Sequence, residues 1–179
     1  MHSLNQFYAK TLQFDLLNKF HYTNLKELPK LKKVILNFNC KTNELKTLST
    51  HLIALELIAD QKGIVTTTKR PNLSLKLRKG DPIGCKVELK KAYRLNFLSR
   101  SLNEIFPHIK NFDMITFKEK TKRTNLSFVI KNSLNFAELF EHYYLFADLS
   151  EINVSIVSTT KTQKELFFLL KSLQFPIKR

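Results

Sequence analysis

The spacing of apolar residues changes repeatedly along this chain, and these changes constrain the fold more than any other feature. Five stretches repeat apolar positions every three or four residues, as helices packed on a sheet do. They are residues 4–20, 45–61, 91–106, 136–146 and 161–173. Five other stretches are rich in β-branched residues or alternate apolar with polar positions, as strands do. They are residues 34–38, 64–68, 83–90, 126–131 and 151–158.

The order of these stretches predicts an α+β fold. Helices alternate with strands, but the second and third strands follow one another without a helix between them. This order is typical of an antiparallel or mixed sheet covered on one face by helices, here with a long basic loop, 69–82, between two strands. Because no segment is repetitive or rich in Pro, Ser and Gly, we predict a single domain over residues 1–179.

The charge of the chain predicts a polyanionic partner. Thirty Lys and Arg residues against fifteen Asp and Glu residues give a formal net charge of +15. Nucleic acid is the first partner to expect from such an excess. The longest apolar runs, such as 167–170, are too short to cross a bilayer, so no membrane span is predicted. A basic amphipathic helix lying on a lipid surface remains an alternative.

The residues that usually carry catalysis or bind metals form no recognisable pattern. Cys40 and Cys85 cannot supply the four ligands of a structural zinc site, and we interpret both as reduced. Paired carboxylates, His-x-x-x-His and Ser/His/Asp arrangements are not found above chance. The chain is therefore predicted not to be an enzyme and to use no cofactor or metal. Its beginning resembles neither a signal peptide nor a transit peptide, so it is expected to act where it is made.

The stretch RKGDPIGCKVELK, residues 78–90, contains two of the three glycines and could be mistaken for a phosphate-binding loop. Three residues, not four, separate Gly80 from Gly84, and Val87 replaces the hydroxyl residue that a nucleotide-binding loop needs. We therefore predict a turn that leads into a strand. On that strand Cys85 shares the core face with Ile83 and two further apolar residues, which indicates a structural rather than a catalytic thiol.

Two groups of residues favour contact with nucleic acid, although each also has an ordinary structural interpretation. The basic loop carries Lys69, Arg70, Lys76, Arg78 and Lys79, and Lys86 and Lys90 extend its charge onto the outward face of the next strand. A solvated loop would look the same. Asn37 and Thr66–Thr68 could bond ribose hydroxyls if they share an outward face, or could form ordinary cross-strand pairs. A second basic cluster comprises Lys118, Lys120, Lys122 and Arg123.

Several segments together resemble the family of large-subunit ribosomal protein five, the universal protein that binds 5S ribosomal RNA. The most specific of them is KLRKGDPIGCKVELK, which ends at residue 90. The others, in order, are ELPKLKKVILNF (27–38), ADQKG (59–63), TTTKRPNLSL (66–75), FPHIKNF (106–112), VSIVSTTKTQKE (154–165) and FPIKR (175–179). The match is spread over nearly the whole chain.

The resemblance implies a structural protein of the large ribosomal subunit. Its sheet and loops would bind 5S-type and adjacent large-subunit rRNA in the central protuberance, beside neighbouring large-subunit proteins. The 69–82 loop would reach the P-site tRNA, and the region near 108–125 would face a protein of the small-subunit head. By motif position, the RNA-binding residues would be Asn37, Gln61, Thr67, Lys69, Arg70, Lys76, Arg78, Lys79 and Lys86.

Three departures from the family pattern limit this transfer. FNCKTNE (38–44) replaces a glycine-rich turn, Glu88 replaces a threonine, and DMITFKEKTKR (113–123) replaces glycines. A composition typical of AT-rich genomes, with the missing targeting signal, predicts a mitochondrial ribosome; a plastid or the bacterial cytoplasm is the alternative. A basic peripheral protein or an RNA-binding factor outside the ribosome is the alternative function.

Overall fold

The structure is a computed structural model that describes residues 3–40, 44–71, 73, 77–109, 115–116 and 125–178. By its internal contacts the chain divides into two compact units. Unit 1 consists of Met1–Val34, Lys90–Ser127 and Ser155–Arg179, and unit 2 consists of Ile35–Leu89 and Phe128–Val154. The assignment of residues 1–179 to one domain stays a prediction.

The helices and strands occur close to where the apolar spacing places them. Helix α1 joins Ser3–Phe7, Tyr8–Leu12 and Gln13–Lys19; α2 is Leu45–Ala59; α3 joins Lys91–Arg100, Ser101–Ile105 and Phe106–His108; α4 is Ala137–Phe140; α5 is Tyr143–Phe146; and α6 is Gln163–Ser172. The strands are β1 (Leu31–Asn39), β2 (Ile64–Thr67), β3 (Pro82–Leu89), β4 (Ile115–Thr116), β5 (Asn125–Ile130), β6 (Ile152–Ser158) and β7 (Ile177–Lys178). Short 3₁₀ turns occupy Leu25–Glu27 and Ser133–Asn135.

The main sheet has five strands in the order β2-β3-β1-β6-β5, and it is antiparallel, with helices packed on it. The α+β prediction is therefore confirmed. β2 and β3 pair in antiparallel register, with Ile64 opposite Lys86 and Val65 opposite Cys85. Between them, residues 72 and 74–76 lie outside the described residues, so the long basic loop stays a prediction.

Unit 1 is held by buried leucines and phenylalanines from its helices and from the segment that follows α6. Leu12 and Leu16, one turn apart on α1, are fully buried, as the four-residue spacing requires. Phe106 and Phe175 meet edge to face, with ring centroids 5.8 Å apart. The helix predicted over 91–106 ends two residues later than expected, because its last segment, Phe106–His108, includes Pro107. Proline is tolerated there because its missing N–H falls in the first turn of that segment.

Unit 2 packs α2 against the sheet through a buried histidine. The Nδ1–H of His51 donates to the Thr47 carbonyl at 2.5 Å, and Nε2 accepts from the Ser150 amide at 3.0 Å. Its ring also packs edge to face on Phe38, at 5.3 Å between centroids. Both ring nitrogens are thus satisfied, as a buried polar side chain needs. This ties α2 to the segment that precedes β6.

Candidate nucleic-acid interface

A tight turn presents Arg78 and Lys79 to solvent just before β3. The Asp81 carboxylate accepts from the Arg78 amide at 2.8 Å, and the Asp81 amide donates to the Arg78 carbonyl at 3.2 Å. The Gly80 amide donates to the Thr68 carbonyl at 3.0 Å. Thr68 also bonds Asp81 twice, with its amide at 2.8 Å and its hydroxyl at 2.6 Å from the Asp81 carbonyl oxygen. The two exposed cations therefore extend from a backbone that five hydrogen bonds fix.

The glycines of this segment serve the backbone. Gly80 has φ of 97°, a left-handed conformation that L-residues rarely adopt, and nothing lies within 4 Å of its missing Cβ. Gly84 faces the opposite constraint: a Cβ there would lie 2.3 Å from the Phe38 carbonyl oxygen on the neighbouring strand. Each glycine thus has a structural reason to be present. The prediction of a turn that leads into a strand is confirmed.

The Cys85 thiol is an unreactive core group. Its side chain is fully buried in the row that continues with Val87 and Leu89. Desolvation by burial raises the pKa of this thiol to about 12, so the nucleophilic thiolate is not formed near neutral pH. The predicted core row is confirmed for these three residues, whereas Ile83 is only half-buried. The structural interpretation of Cys85 agrees with this environment.

Lys86 lies on the face of β3 opposite to Cys85. Its register partner on β2 is Ile64, which is 59% exposed. Because cross-strand partners share a face of the sheet, Lys86 stands on the open side next to an exposed edge strand. Glu88 occupies the next position on that face and is half-buried like Lys86. The Glu88 carboxylate thus lies on the same outward face of β3 as Lys86, as the alternation in the sequence predicts.

The other predicted RNA-binding residues occupy surface positions of unit 2. Thr67, Lys69 and Arg70 are exposed at and just after the end of β2, and Gln61 is half-buried just after α2. Asn37 is half-buried on β1, and its amide donates to the Asn39 side-chain oxygen at 3.0 Å. The eight described candidates therefore belong to one compact unit. Whether RNA contacts them stays a prediction.

Thr68 lies in a different environment from the one expected, and several other candidate residues lie outside the described residues. Thr68 does not share an exposed face with Thr67, because it is buried and bonded to Asp81. Thr68 and Asp81 position the turn, and sequence reasoning missed this role; the Asp-Pro pair after a glycine was the available signal. Lys76 and the second basic cluster (Lys118, Lys120, Lys122, Arg123) lie outside the described residues.

Membrane-spanning helices and metal clusters are not found within the described ranges. In the part of the chain that the structure describes, no helix has the length and apolar character to cross a membrane. The same described residues contain no group of three or more His, Cys, Asp or Glu side chains arranged to hold a metal ion.

The comparisons with known proteins all find similarity to ribosomal L5 proteins. The family model for the C-terminus of the ribosomal L5 protein family matches residues 82–177. Large ribosomal subunit protein uL5m of Reclinomonas americana is 35% identical over 181 residues, covering 100% of both chains. Large ribosomal subunit protein uL5 of Geotalea daltonii is 32% identical over 180 residues, covering 99% of each. The uL5 of Malacoplasma penetrans is 33% identical over 171 residues, covering 94% of this chain and 90% of the relative.

Proposed function

Because the chain belongs to the ribosomal L5 protein family, we propose that it binds rRNA through unit 2 as a structural constituent of the large ribosomal subunit. The family is a structural, non-enzymatic component of the ribosome. The family also implies association with rRNA and with other large-subunit proteins.

The observation that carries the proposal is the braced turn at Arg78–Asp81. Its two exposed cations stand on a backbone that is fixed before any ligand arrives, so little conformational entropy is lost when phosphates bind. Lys86 and the exposed residues Thr67, Lys69 and Arg70 lie in the same unit. Cations neutralise phosphates, while hydroxyl and amide groups bond ribose hydroxyls and base edges. The arrangement suits a structured RNA.

Finer assignments follow from the resemblance. The RNA would be 5S-type and adjacent large-subunit rRNA in the central protuberance. The 69–82 segment would contact the elbow of the P-site tRNA, which the exposure of Arg78 and Lys79 supports. The 108–125 region would meet a small-subunit head protein; most of that region lies outside the described residues. A mitochondrial ribosome is proposed, supported by the similarity to uL5m, although bacterial uL5 proteins are similar too.

The test compares the salt dependence of RNA binding in matched variants. Binding of the full chain to a 5S-type rRNA transcript should weaken by roughly a hundredfold or more between about 50 and 200 mM salt. Arg78→Ala with Lys79→Ala should lower the slope of log affinity against log salt by about two, one for each lost phosphate contact. Filter binding or fluorescence anisotropy measures both quantities.

The control removes the same charge elsewhere. Lys164 and Lys171 are exposed on α6 in unit 1, and their double alanine variant should leave the slope within experimental error of the native value. Circular dichroism checks that both variants fold. Equal slopes for the two double variants, or a flat salt response of the native chain, would show that unit 2 does not bind RNA through this turn.

A further inference from the structure

A groove in unit 1 takes no part in the proposed RNA contacts. A cavity of about 420 Å³ is lined by residues of α1, the start of β1, α3 and the end of α6, among them Leu4, Leu95 and Leu173. A second cavity of about 220 Å³ is also lined by Leu4 and Leu173. We call these two adjoining cavities the unit 1 groove. Their combined size is in the range that binds small ligands or several side chains.

Arg94 lies in the wall of the larger cavity and is held in place by backbone. One of its terminal nitrogens, Nη1, donates to the carbonyl oxygens of Leu31 and Lys32, the latter at 3.0 Å. Its Nε is buried and has no acceptor among the described residues. No carboxylate among the described residues pairs with Arg94, and partial burial of a cation in that situation is costly. Desolvation lowers the pKa of this guanidinium accordingly. An anion beside Arg94 would offset that cost.

The remaining wall of the larger cavity combines positive charge with aliphatic surface. Lys30 adds a second cation, and the described residues that line this cavity include no carboxylate. Leucine side chains form much of the wall, and Tyr8, the one aromatic residue among its described lining residues, donates its hydroxyl to the Pro29 carbonyl at 2.9 Å. RNA-binding pockets stack bases on several aromatic or guanidinium faces, so this wall suits an apolar side chain better than a base.

We propose that the unit 1 groove binds a segment of a neighbouring protein in which a carboxylate lies next to leucine-like side chains. The carboxylate pairs with Arg94, whose planar guanidinium matches carboxylate geometry. The apolar side chains enter between Leu4, Leu95 and Leu173. Anchoring apolar residues in a preformed groove is a common mode of peptide recognition. The proposal does not depend on which RNA unit 2 contacts.

The test uses the full chain with three labelled probes. The first is a peptide of about twelve residues that repeats Leu-Leu-Glu-Glu, matching the groove-binding mode. The second has Gln in place of every Glu, and the third is an oligouridine of about eight nucleotides, which represents RNA. Fluorescence anisotropy should show saturable binding of the first peptide. Losing the charge-assisted hydrogen bond should weaken binding of the Gln peptide by about tenfold or more.

Variants separate the groove from the general positive charge. Arg94→Gln should weaken binding of the acidic peptide by about tenfold or more, whereas Lys164→Gln, which removes one exposed charge from α6, should change it less than about twofold. Because Arg94 also caps two carbonyls, circular dichroism must confirm that its variant folds. Ala9→Trp supplies an independent test: Ala9 is an exposed lining residue, and the indole would fill the groove without altering charge.

Three results would overturn the proposal. Equal loss in Arg94→Gln and Lys164→Gln would mean that only net charge attracts the peptide. Unchanged binding in Ala9→Trp would place the peptide elsewhere. Displacement of the peptide by oligouridine, with binding of the oligouridine dependent on Arg94, would make the groove a nucleotide site instead.

Discussion

Replacing Gly84 by alanine should disrupt the contact between β3 and β1. A Cβ at this position would lie 2.3 Å from the Phe38 carbonyl oxygen and 3.3 Å from the Thr66 hydroxyl oxygen. A hydroxyl can rotate away, but the carbonyl belongs to the backbone of a central strand. The two strands must therefore move apart or twist to admit one methyl group.

The expected cost follows from the nature of that contact. Overpacking a well-packed interior costs about 1–3 kcal/mol and sometimes more. Alanine restricts the unfolded chain and returns about 0.4–1 kcal/mol. Since the obstructing atom is backbone and real Cβ contacts essentially never fall below 3.0 Å, the cost should lie at or above the top of that range, and we expect Gly84→Ala to lower the free energy of unfolding by about 2 kcal/mol or more. At a slope of about 2 kcal/mol per M, the urea midpoint would fall by about 1 M or more.

The other two glycines provide matched controls for the same chemical change. At Gly80 the space is open but φ is 97°, so alanine should cost only the conformational strain of about 1–2 kcal/mol. At Gly63 the close atom is Leu52 Cδ1 at 2.6 Å, the end of a side chain that can rotate. Gly63→Ala should therefore stay within about 1 kcal/mol of the native protein.

Urea unfolding followed by far-UV circular dichroism measures all three variants. Midpoints should be compared directly, because a chain with two compact units need not unfold in one step. The reasoning is refuted if Gly84→Ala lies within about 1 kcal/mol of the native protein or is less destabilised than Gly80→Ala. Either result would show that the close approach of Phe38 does not require glycine.

Two further predictions concern single residues. Gln174 lies just after the C-terminal end of α6 in a left-handed conformation (φ 61°), and the Phe175 amide donates to the Leu170 carbonyl at 3.0 Å. Because glycine adopts this conformation without strain, Gln174→Gly should stabilise the protein by about 1 kcal/mol. An unchanged or lower melting midpoint would contradict this. Because burial raises the pKa of Cys85 to about 12, iodoacetamide at about pH 9 should modify half-buried Cys40 first. Rapid modification of Cys85 in the native protein would contradict the assignment. The stability that the neutral Cys85 thiol contributes is complete below about pH 8.5 and is lost as pH rises toward 12. Urea midpoints should therefore decline with pH over this range, and the decline should be smaller in Cys85→Ala.

Local periodicity explains which parts of the fold were predictable. The stripe over 45–61 corresponds to Leu45–Ala59, and the alternation over 83–90 corresponds to Pro82–Leu89. Both patterns arise because each segment buries one face, and burial follows the period of the backbone. The outward position of Lys86 follows from the same alternation. Arg78 and Lys79 on the turn could also be identified from the sequence, because no acidic residue precedes Asp81 in that basic segment.

Features that depend on distant pairs were not predictable from spacing. The short strands β4 and β7 pair Ile115 with Ile177, and two-residue strands are too short to show a period. The hydrogen bond from Thr68 to Asp81 joins residues thirteen positions apart, and only the folded turn reveals it. The helix expected over 136–146 divides into Ala137–Phe140 and Tyr143–Phe146.

The stability of unit 2 and its proposed RNA-binding face both depend on the register of strand β3. Cys85 points into the core while Lys86 faces outward, so a slip by one residue would bury the lysine and expose the thiol. Gly84 helps to specify that register, because only a residue without a Cβ fits beside the Phe38 carbonyl. Damage at Gly84 should therefore reduce stability and RNA affinity together, whereas loss of Arg78 and Lys79 should reduce RNA affinity alone. Measuring stability and RNA affinity in both variants distinguishes residues that stabilise this surface from residues that contact RNA.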